Sequence, residues 1–384
     1  MLHSRACQFM GIPYCDPEER GVRKHRLEKV RSLVERYLGD AYPSYDLLIL
    51  KDDCAIFRSF SGYAELQPTE RPIRANSMFD VASLTKVLVT SLVYAKLVEE
   101  GLVSLRQRVV DLVPEFRHTV AGANAAKEKV ALWMLLSHTS GLPPWLPLHR
   151  VCRNRSEVFA EALKTFPSYE AGKEVVYSDV NYIILTYVAE RVTGQRLDSL
   201  FDNLIAKPLN LRRSTFNPLE RGFSRDDVVA TEVVDWRGGT LIGVVHDENA
   251  FAMEGVSGHA GLFTTTEDSA RVVGEILCAY RGRCDTLISR PTALAMLAPW
   301  ACGESCYGLG WLIYEPGRGL SALTDYRHAQ VAWHTGFTGT SILMAPRESL
   351  AVIFYTNRIH PTRANEKIRE VRVLLHNAVL SSLD

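Results

Sequence analysis

The apolar positions of this 384-residue chain change their spacing from its ends to its middle. Leucine and valine recur every three to four residues in 20–38 and 363–380, which predicts an amphipathic helix near each end. Short apolar runs close to both helices have the length and composition of strands. These predicted strands are 46–51, 55–60, 308–313, 330–333, 340–345 and 350–356.

Between the two groups of strands, the pattern is helical with long loops. Predicted helices in this middle part are 132–136, 155–166, 182–192 and about 267–279. Strands from both ends with helices between them predict an α+β fold, an α/β sandwich with one antiparallel sheet and an inserted all-helical lobe. We expect a single domain over 1–384, with the sheet lobe at about 20–105 and 290–384 and the helical lobe at about 106–289. A site would then lie in the cleft between the lobes.

Residues 82–98 are apolar on nearly every face, which predicts a buried helix with Asp80 as its cap and a stop at Gly101. Ser83 and Lys86 lie three residues apart at its start and therefore share one face. A serine hydroxyl becomes a good nucleophile beside a base, and burial lets a lysine act as that base. A capping serine next to a solvated lysine is the alternative that this pair alone leaves open.

Composition and charge exclude several other functions. Lys and Arg number 44 and Asp and Glu also 44, so a formal net charge of +0 argues against binding of nucleic acid. No apolar run reaches the ~18 residues of a membrane span. The first ten residues lack the apolar core of a secretory signal, so we expect a cytoplasmic protein, unless a misplaced start codon hides an export signal.

The eight cysteines contain no Cys-x-x-Cys pair and are expected to be reduced thiols, although Cys302 and Cys306 could meet on a turn. His246, Asp247, Glu248 and His259 lack the spacing of a metal site and are interpreted as polar packing near the cleft. Glycine motifs for phosphates or dinucleotides and a Gly-x-Ser-x-Gly elbow are missing as well. The sequence therefore predicts neither a metal nor a cofactor.

Two further motifs follow the Ser83 helix. One is Tyr177-Ser178-Asp179, in a loop before a helix, and the other is His334-Thr335-Gly336, after a predicted strand. Ser-x-x-Lys, a Tyr-x-Asn-like motif and Lys/His-Thr-Gly, in this order, resemble the serine β-lactamase and penicillin-binding protein family. The branch is that of the class C β-lactamases, D-aminopeptidases and serine esterases. The resemblance extends over roughly 25–380 and includes these further stretches: 79–86, 135–142, 246–250, 258–263 and 356–358.

The resemblance implies a β-lactamase/DD-peptidase-like fold and an acyl-enzyme mechanism. Ser83 would attack a carbonyl, while Lys86 and Tyr177 would share the proton transfers as general base and acid. The backbone N–H groups of Ser83 and Phe337 would form the oxyanion hole. The substrate-binding residues would be Asp179, His334, Thr335 and Gly336.

Two positions depart from the family pattern. Asp179 stands where the family usually has Asn, and this carboxylate would repel an anionic substrate and raise the pKa of Lys86. His334 stands where β-lactamases have Lys, which weakens the positive charge near pH 7. Both changes favour esterases and amidases over enzymes for carboxylate-bearing substrates. Whether Lys86 or Tyr177 is the main base stays open.

The leading hypothesis is a serine hydrolase that cleaves an amide or ester of a small or peptide-like substrate. The stretches 246–250 and 258–263 most resemble those of penicillin-binding carboxypeptidases and of N-acetylmuramyl-L-alanine amidases of wall recycling. The preferred activity is therefore a muramyl-peptide amidase that acts on peptidoglycan fragments. A carboxylesterase, or a β-lactamase or DD-carboxypeptidase, is the alternative enzyme. The alternative of another class is a non-catalytic protein that binds wall peptides or β-lactams. The sequence does not specify an oligomeric state.

Overall fold

A nine-stranded antiparallel sheet forms the centre of the computed structural model, which describes residues 12–316, 321–326 and 330–383. Its spatial order is β4-β5-β6-β7-β8-β9-β1-β2-β3, so the first and last parts of the chain meet at the pairing of β9 with β1. The predicted α+β class is confirmed. The strands are β1 (Ser44–Lys51), β2 (Cys54–Glu65), β3 (Arg71–Pro72), β4 (Ala301–Cys302), β5 (Cys306–Tyr307), β6 (Leu312–Tyr314), β7 (Val331–Thr335), β8 (Ser341–Ala345) and β9 (Leu350–Thr356).

Helices lie on both faces of this sheet and make up most of the segment between β3 and β4. The inserted lobe is not all-helical as predicted, because Thr215–Phe216 and Leu262–Thr264 form a small sheet with Phe79–Asp80. The α-helices of the described residues are α1 (Lys24–Arg36), α2 (Ser91–Glu99), α3 (Val109–Leu112), α4 (Leu132–Leu136), α5 (Leu148–Val151), α6 (Arg155–Leu163), α7 (Asp179–Thr193), α8 (Leu197–Phe201), α9 (Glu248–Ala252), α10 (Thr266–Tyr280), α11 (Arg290–Leu297) and α12 (Ile368–Leu380). Across the described ranges, none of these helices combines the length and apolarity needed to cross a membrane.

Side chains that alternate along the central strands separate two apolar cores. Leu47 and Ile49 of β1 pack with the apolar faces of α1 and α12, whereas Leu48 and Leu50 face the opposite core, which includes α10. A strand covered on both sides has apolar residues at successive positions, as β1 does. Burial on both faces holds the sheet rigidly between two helical layers.

The segment that carries Ser83 differs from the single helix predicted for 82–98. It consists of a 3-10 turn (Ala82–Leu84), a π-helical turn (Lys86–Thr90) and then α2. The Ser91 hydroxyl donates to the Lys86 carbonyl at 2.9 Å, and the Thr90 hydroxyl donates to the Gly258 carbonyl at 2.8 Å. These side-chain contacts accompany the π-helical turn. The spacing of apolar residues does not distinguish such a turn from an α-helix.

Other boundaries also need correction. The two terminal helices are shorter than predicted, since α1 begins at Lys24 and α12 at Ile368. The run 308–313 is not one strand, because Gly310 adopts a φ of +90° and the strand begins only at Leu312. Left-handed backbone of this kind interrupts pairing and is accessible to glycine.

The expectation that the cysteines are reduced is wrong for three pairs. Disulfides join Cys15 to Cys54, Cys278 to Cys284 and Cys302 to Cys306, while Cys152 is free and buried. Cys302 and Cys306 face each other across the β4–β5 hairpin, where the strand register brings them together. Pairing across hairpins and turns needs no Cys-x-x-Cys spacing, which is why the sequence pattern did not indicate it. Cys7 lies outside the described residues.

Candidate active site

Ser83 and Lys86 are in contact at the centre of the molecule. The Lys86 ammonium donates to Ser83 Oγ at 3.1 Å and to the His259 carbonyl at 3.0 Å, and lies 2.7 Å from Asp179 Oδ1. The preceding residue, Ala82, adopts a φ of +46°, and its N–H donates to Asp80 Oδ1. A non-glycine residue in this conformation costs about 1–2 kcal/mol, so the surrounding contacts hold Ser83 in place against local strain.

Burial decides the protonation tendency of Lys86. Its side chain is 0% exposed, and this burial lowers the pKa of the ammonium below its usual value. Asp179 raises the pKa of Lys86, as predicted, but its charge does not outweigh the loss of hydration. The predicted net direction is therefore wrong. A lysine with a lowered pKa beside a serine hydroxyl can accept the proton of that hydroxyl.

Tyr177 lies on the other side of the same group. The Lys86 ammonium is 4.9 Å from the centre of the Tyr177 ring, and the Ser83 side chain interacts with the phenol. Burial, followed by the charge of Asp179, raises the pKa of Tyr177 well above 10, although the Ser83 contact offsets part of this effect. The phenol is therefore neutral near pH 7 and can donate a proton.

The loop that carries Tyr177 is fixed by His138 and by the start of α7. The Ser178 N–H donates to His138 Nδ1 at 3.0 Å, and the His138 ring lies 4.6 Å from that of Tyr177. The Ser178 hydroxyl accepts from Asn181 N–H and caps α7, which places Asp179 in the first helical turn. His138 therefore stabilises this second motif.

The turn between β7 and β8 is bound directly to the segment before Ser83. Thr338 Oγ1 donates to the Asp80 carbonyl at 2.6 Å, and Thr340 Oγ1 donates to the Val81 carbonyl at 3.1 Å. A Cβ at Gly336 would lie 2.3 Å from the Val81 carbonyl oxygen, so only glycine allows this approach. Phe337, the predicted oxyanion residue, is therefore held beside Ser83 in the same cleft.

His334 reaches the cleft as a neutral side chain. Its Nδ1 is 2.9 Å from the Thr335 carbonyl oxygen, which can only accept, so Nδ1 carries the hydrogen and Nε2 is an acceptor. Burial, with help from the charge of Lys86, lowers the pKa of His334 to about 3. The weakened positive charge predicted at this position is thus absent altogether at neutral pH.

Positive charge enters the cleft from residues that the sequence analysis did not identify. A cavity of about 340 Å³ contains Ser83, Tyr177 and the segment 334–337, and its far wall carries Arg358, Arg369 and Arg372 with one acid, Glu366. Arg369 and Arg372 lie three residues apart on α12 and share a face. The sequence shows the spacing of Arg369 and Arg372, but it does not show which end of the sheet α12 covers. The position of both arginines at the cleft was therefore not predictable.

The polar residues of 246–259 form pairs beside the site. His259 Nε2 is 2.8 Å from Asp247 Oδ1, and His246 Nε2 is 2.9 Å from Glu232 Oε2. In the described ranges, no group of three or more His, Cys, Asp or Glu side chains is arranged to hold a metal ion. The His259 carbonyl nevertheless reaches Lys86, so this segment belongs to the site rather than to its surroundings.

Comparison with known proteins agrees with this geometry. A family model described as Beta-lactamase matches residues 30–376. A protein of Salmonella schwarzengrund (strain CVM19633), named provisionally as a D-alanyl-D-alanine carboxypeptidase, is 30% identical over 392 residues, which cover 96% of this chain and 90% of the relative.

Two solved structures have the same fold. A penicillin-binding protein homologue from Caulobacter crescentus superposes with a TM-score of 0.73 at 20% identity and covers 94% of this chain and 99% of that one. A class C β-lactamase gives a TM-score of 0.72 at 18% identity, with coverages of 94% and 97%. Since the family model spans the Ser83, Tyr177 and His334 motifs and nearly the whole chain, the protein belongs to the β-lactamase family and is a serine hydrolase.

Proposed function

We propose that the protein is a serine carboxypeptidase that removes the C-terminal residue of a peptidoglycan-derived peptide. The observation that carries this proposal is the group of arginines on the wall of the Ser83 cleft, defined here as the arginine cluster: Arg358, Arg369 and Arg372. The provisional name of the Salmonella relative supports it. The same arginines reverse the preference for an amidase or esterase that His334 and Asp179 suggested.

The arginine cluster has three positive charges, and the exposed Glu366 pairs with Arg369 at 3.1 Å, so the net charge keeps the sign expected of an anion site. Burial, followed by the charges of Arg358 and Arg369, lowers the pKa of Arg372, which shows that the three cations repel one another. Arg372 donates to the carbonyls of Gly336 at 3.1 Å and Thr340 at 2.7 Å, so its contacts with the protein are to neutral groups. A substrate carboxylate bound here would relieve this repulsion by charge-assisted hydrogen bonds.

Asp179 does not oppose such binding. Its Oδ1 lies 2.7 Å from Lys86 Nζ, so the carboxylate is directed at the lysine, and while Lys86 is protonated the two charges offset each other. A peptide could then place its scissile carbonyl at Ser83 and its terminal carboxylate near the arginine cluster.

The proposed reaction proceeds in two acyl-transfer steps. Lys86 accepts the Ser83 proton as Oγ attacks the scissile carbonyl, and the backbone N–H groups of Ser83 and Phe337 stabilise the oxyanion. Tyr177 donates its proton to the nitrogen of the departing amino acid, which breaks the amide bond and leaves an ester on Ser83. Proton transfer from Lys86 restores the phenol, and water then hydrolyses the ester by the same route.

Reversal of charge at Arg369 tests the anion site. Its side chain is 76% exposed, so Arg369→Glu is expected to fold and to lower kcat/KM about tenfold for a peptide ending in D-Ala-D-Ala. The same peptide with a C-terminal amide should show almost no effect. The measurement is D-alanine or D-alaninamide release by mass spectrometry, with Arg347→Glu, in the turn at the opposite end of β8, as the matched control.

The position of the cleaved bond separates the candidate activities. With muramyl pentapeptide as substrate, the proposal predicts the loss of one D-alanine. Separation of the sugar from the intact peptide would identify the muramyl-peptide amidase instead. Equal kcat/KM on the acid and amide peptides would contradict recognition of the carboxylate and favour an amidase or esterase.

Removal of the Tyr177 hydroxyl should affect amides more than activated esters. Tyr177→Phe is expected to slow peptide cleavage about 10²- to 10³-fold, because an amine needs a proton to leave. A p-nitrophenyl ester should be affected less, since p-nitrophenolate leaves unprotonated. Parallel measurements of kcat on both substrates provide the test, and equal losses on the two would contradict the role of Tyr177 as the acid.

A further inference from the structure

The three groups in contact with the Lys86 ammonium, two hydrogen-bond acceptors and the carboxylate of its ion pair, determine where its lone pair points. A charged lysine has three N–H donors, which match Ser83 Oγ, Asp179 Oδ1 and the His259 carbonyl. A neutral lysine has two N–H donors and one lone pair. If the carboxylate and the carbonyl take the two donors, the lone pair is directed at the Ser83 hydroxyl, as a general base requires.

The His259 carbonyl is held in position through its own side chain. The ring is 1% exposed, and its Nδ1 is 2.7 Å from Ser257 Oγ while Nε2 is 2.8 Å from Asp247 Oδ1. His259 lowers the pKa of Asp247, as do the Ala250 N–H and Lys86, and together they overcome the effect of burial. Asp247 is therefore ionised and can only accept, which fixes the hydrogen of His259 on Nε2.

The backbone around His259 is packed tightly against the turn that carries Lys86. The Gly258 N–H donates to Thr186 Oγ1 at 2.7 Å, and a Cβ at Gly258 would lie 2.7 Å from Thr90 Oγ1. Ser257, His259 and Asp247 resemble a hydrolytic triad in composition. Ser257 is 0% exposed, however, so it has no access to a substrate.

We propose that Asp247 and His259 are positioning residues of the reaction, which hold the His259 carbonyl against Lys86 and thereby aim the lysine lone pair at Ser83. This inference rests on Lys86 as the base but not on the identity of the substrate. Asp247 also acts on Lys86 through its charge. The titratable groups that face Lys86 from neighbouring elements are Tyr177, Asp179, Tyr182, His138, His334 and Asp247.

Two substitutions of Asp247 separate its role in holding His259 from the effect of its charge on Lys86. Asp247→Ala removes the acceptor of both His259 Nε2–H and Ala250 N–H, whereas Asp247→Asn retains an oxygen for both. The quantity to measure is the rate at which a fluorophosphonate modifies Ser83 covalently, followed by intact mass between pH 5 and 10. Asp247→Ala and His259→Ala should reduce the limiting rate about tenfold or more, and Asp247→Asn should restore most of it.

The pH dependence provides a readout that a purely structural role would not change. The Asp247 charge raises the pKa of Lys86, so its removal in Asp247→Asn should move the half-maximal rate to lower pH. The control variant is His360→Ala, which removes another buried histidine that is hydrogen-bonded to the backbone of Thr231 and Leu66. It should lower the melting temperature without moving this midpoint.

The outcomes distinguish this inference from the proposed function. Limiting rates in Asp247→Ala and His259→Ala equal to that of His360→Ala would overturn the positioning role. An unmoved midpoint in Asp247→Asn would overturn the action of the Asp247 charge on Lys86. A wild-type protein that reacts with the fluorophosphonate but cleaves no peptide contradicts only the carboxypeptidase. A wild-type Ser83 that does not react at all contradicts both.

Discussion

Lys86→Arg is expected to slow the acylation of Ser83 by about 10²- to 10⁴-fold, the usual contribution of a general base. Arginine retains the positive charge and the donors, but its pKa above about 12 prevents it from accepting the serine proton. The rate of fluorophosphonate adduct formation between pH 5 and 10 measures this effect. Wild-type protein should show a rate that rises with pH through the pKa of Lys86, which burial lowers from its usual value.

A matched control addresses the larger size of arginine. Lys127 is also fully buried, and its ammonium donates to the carbonyls of His118, Leu163 and Thr165 rather than to the site. Lys127→Arg should therefore lower thermal stability without changing the acylation rate. If Lys86→Arg retained a rate within about fivefold of wild type, the proton acceptor would have to be another group, and Tyr177 is the nearest candidate.

Much of the architecture was predictable because it follows from local periodicity. Strands near both ends and helices in the middle predict one sheet in which strands from the two chain ends are neighbours. The pairing of β9 with β1 confirms this. Tyr177 and His334 could be associated with Ser83 only through the order of their motifs, because 94 and 251 residues of sequence say nothing about distance. In the structure, the contacts of Lys86 with Asp179 and Tyr177 show that the first two motifs lie together.

The net effect of burial and charge was not predictable from the sequence. Asp179 indicated a raised pKa for Lys86. In the structure, the desolvation of the fully buried ammonium lowers this pKa by more than the Asp179 carboxylate raises it. The opposite shift in Tyr177 has the same cause, since burial disfavours the phenolate. Together the two directions favour Lys86 as base and Tyr177 as acid, the question that the motifs alone left open.

The source of positive charge was missed for a topological reason. His334 replaces the lysine expected on the edge strand and is neutral, so the strand itself provides no cation. The arginine cluster comes from the end of β9 and from α12, which reach the cleft only because α12 crosses the sheet beside β7. In the proposed carboxypeptidase, α12 and the end of β9 would therefore provide the positive charge that the edge strand lacks.

Ser83→Ala is expected to abolish covalent modification altogether, because it removes the hydroxyl that lies 3.1 Å from the Lys86 ammonium and opens to the cleft. Intact-mass analysis after reaction with a fluorophosphonate or a penicillin tests this most directly. We expect one adduct on the wild-type protein, located to the peptide that contains residue 83, and none on Ser83→Ala. An equal adduct on both proteins, or no adduct on the wild type with either reagent, would contradict it.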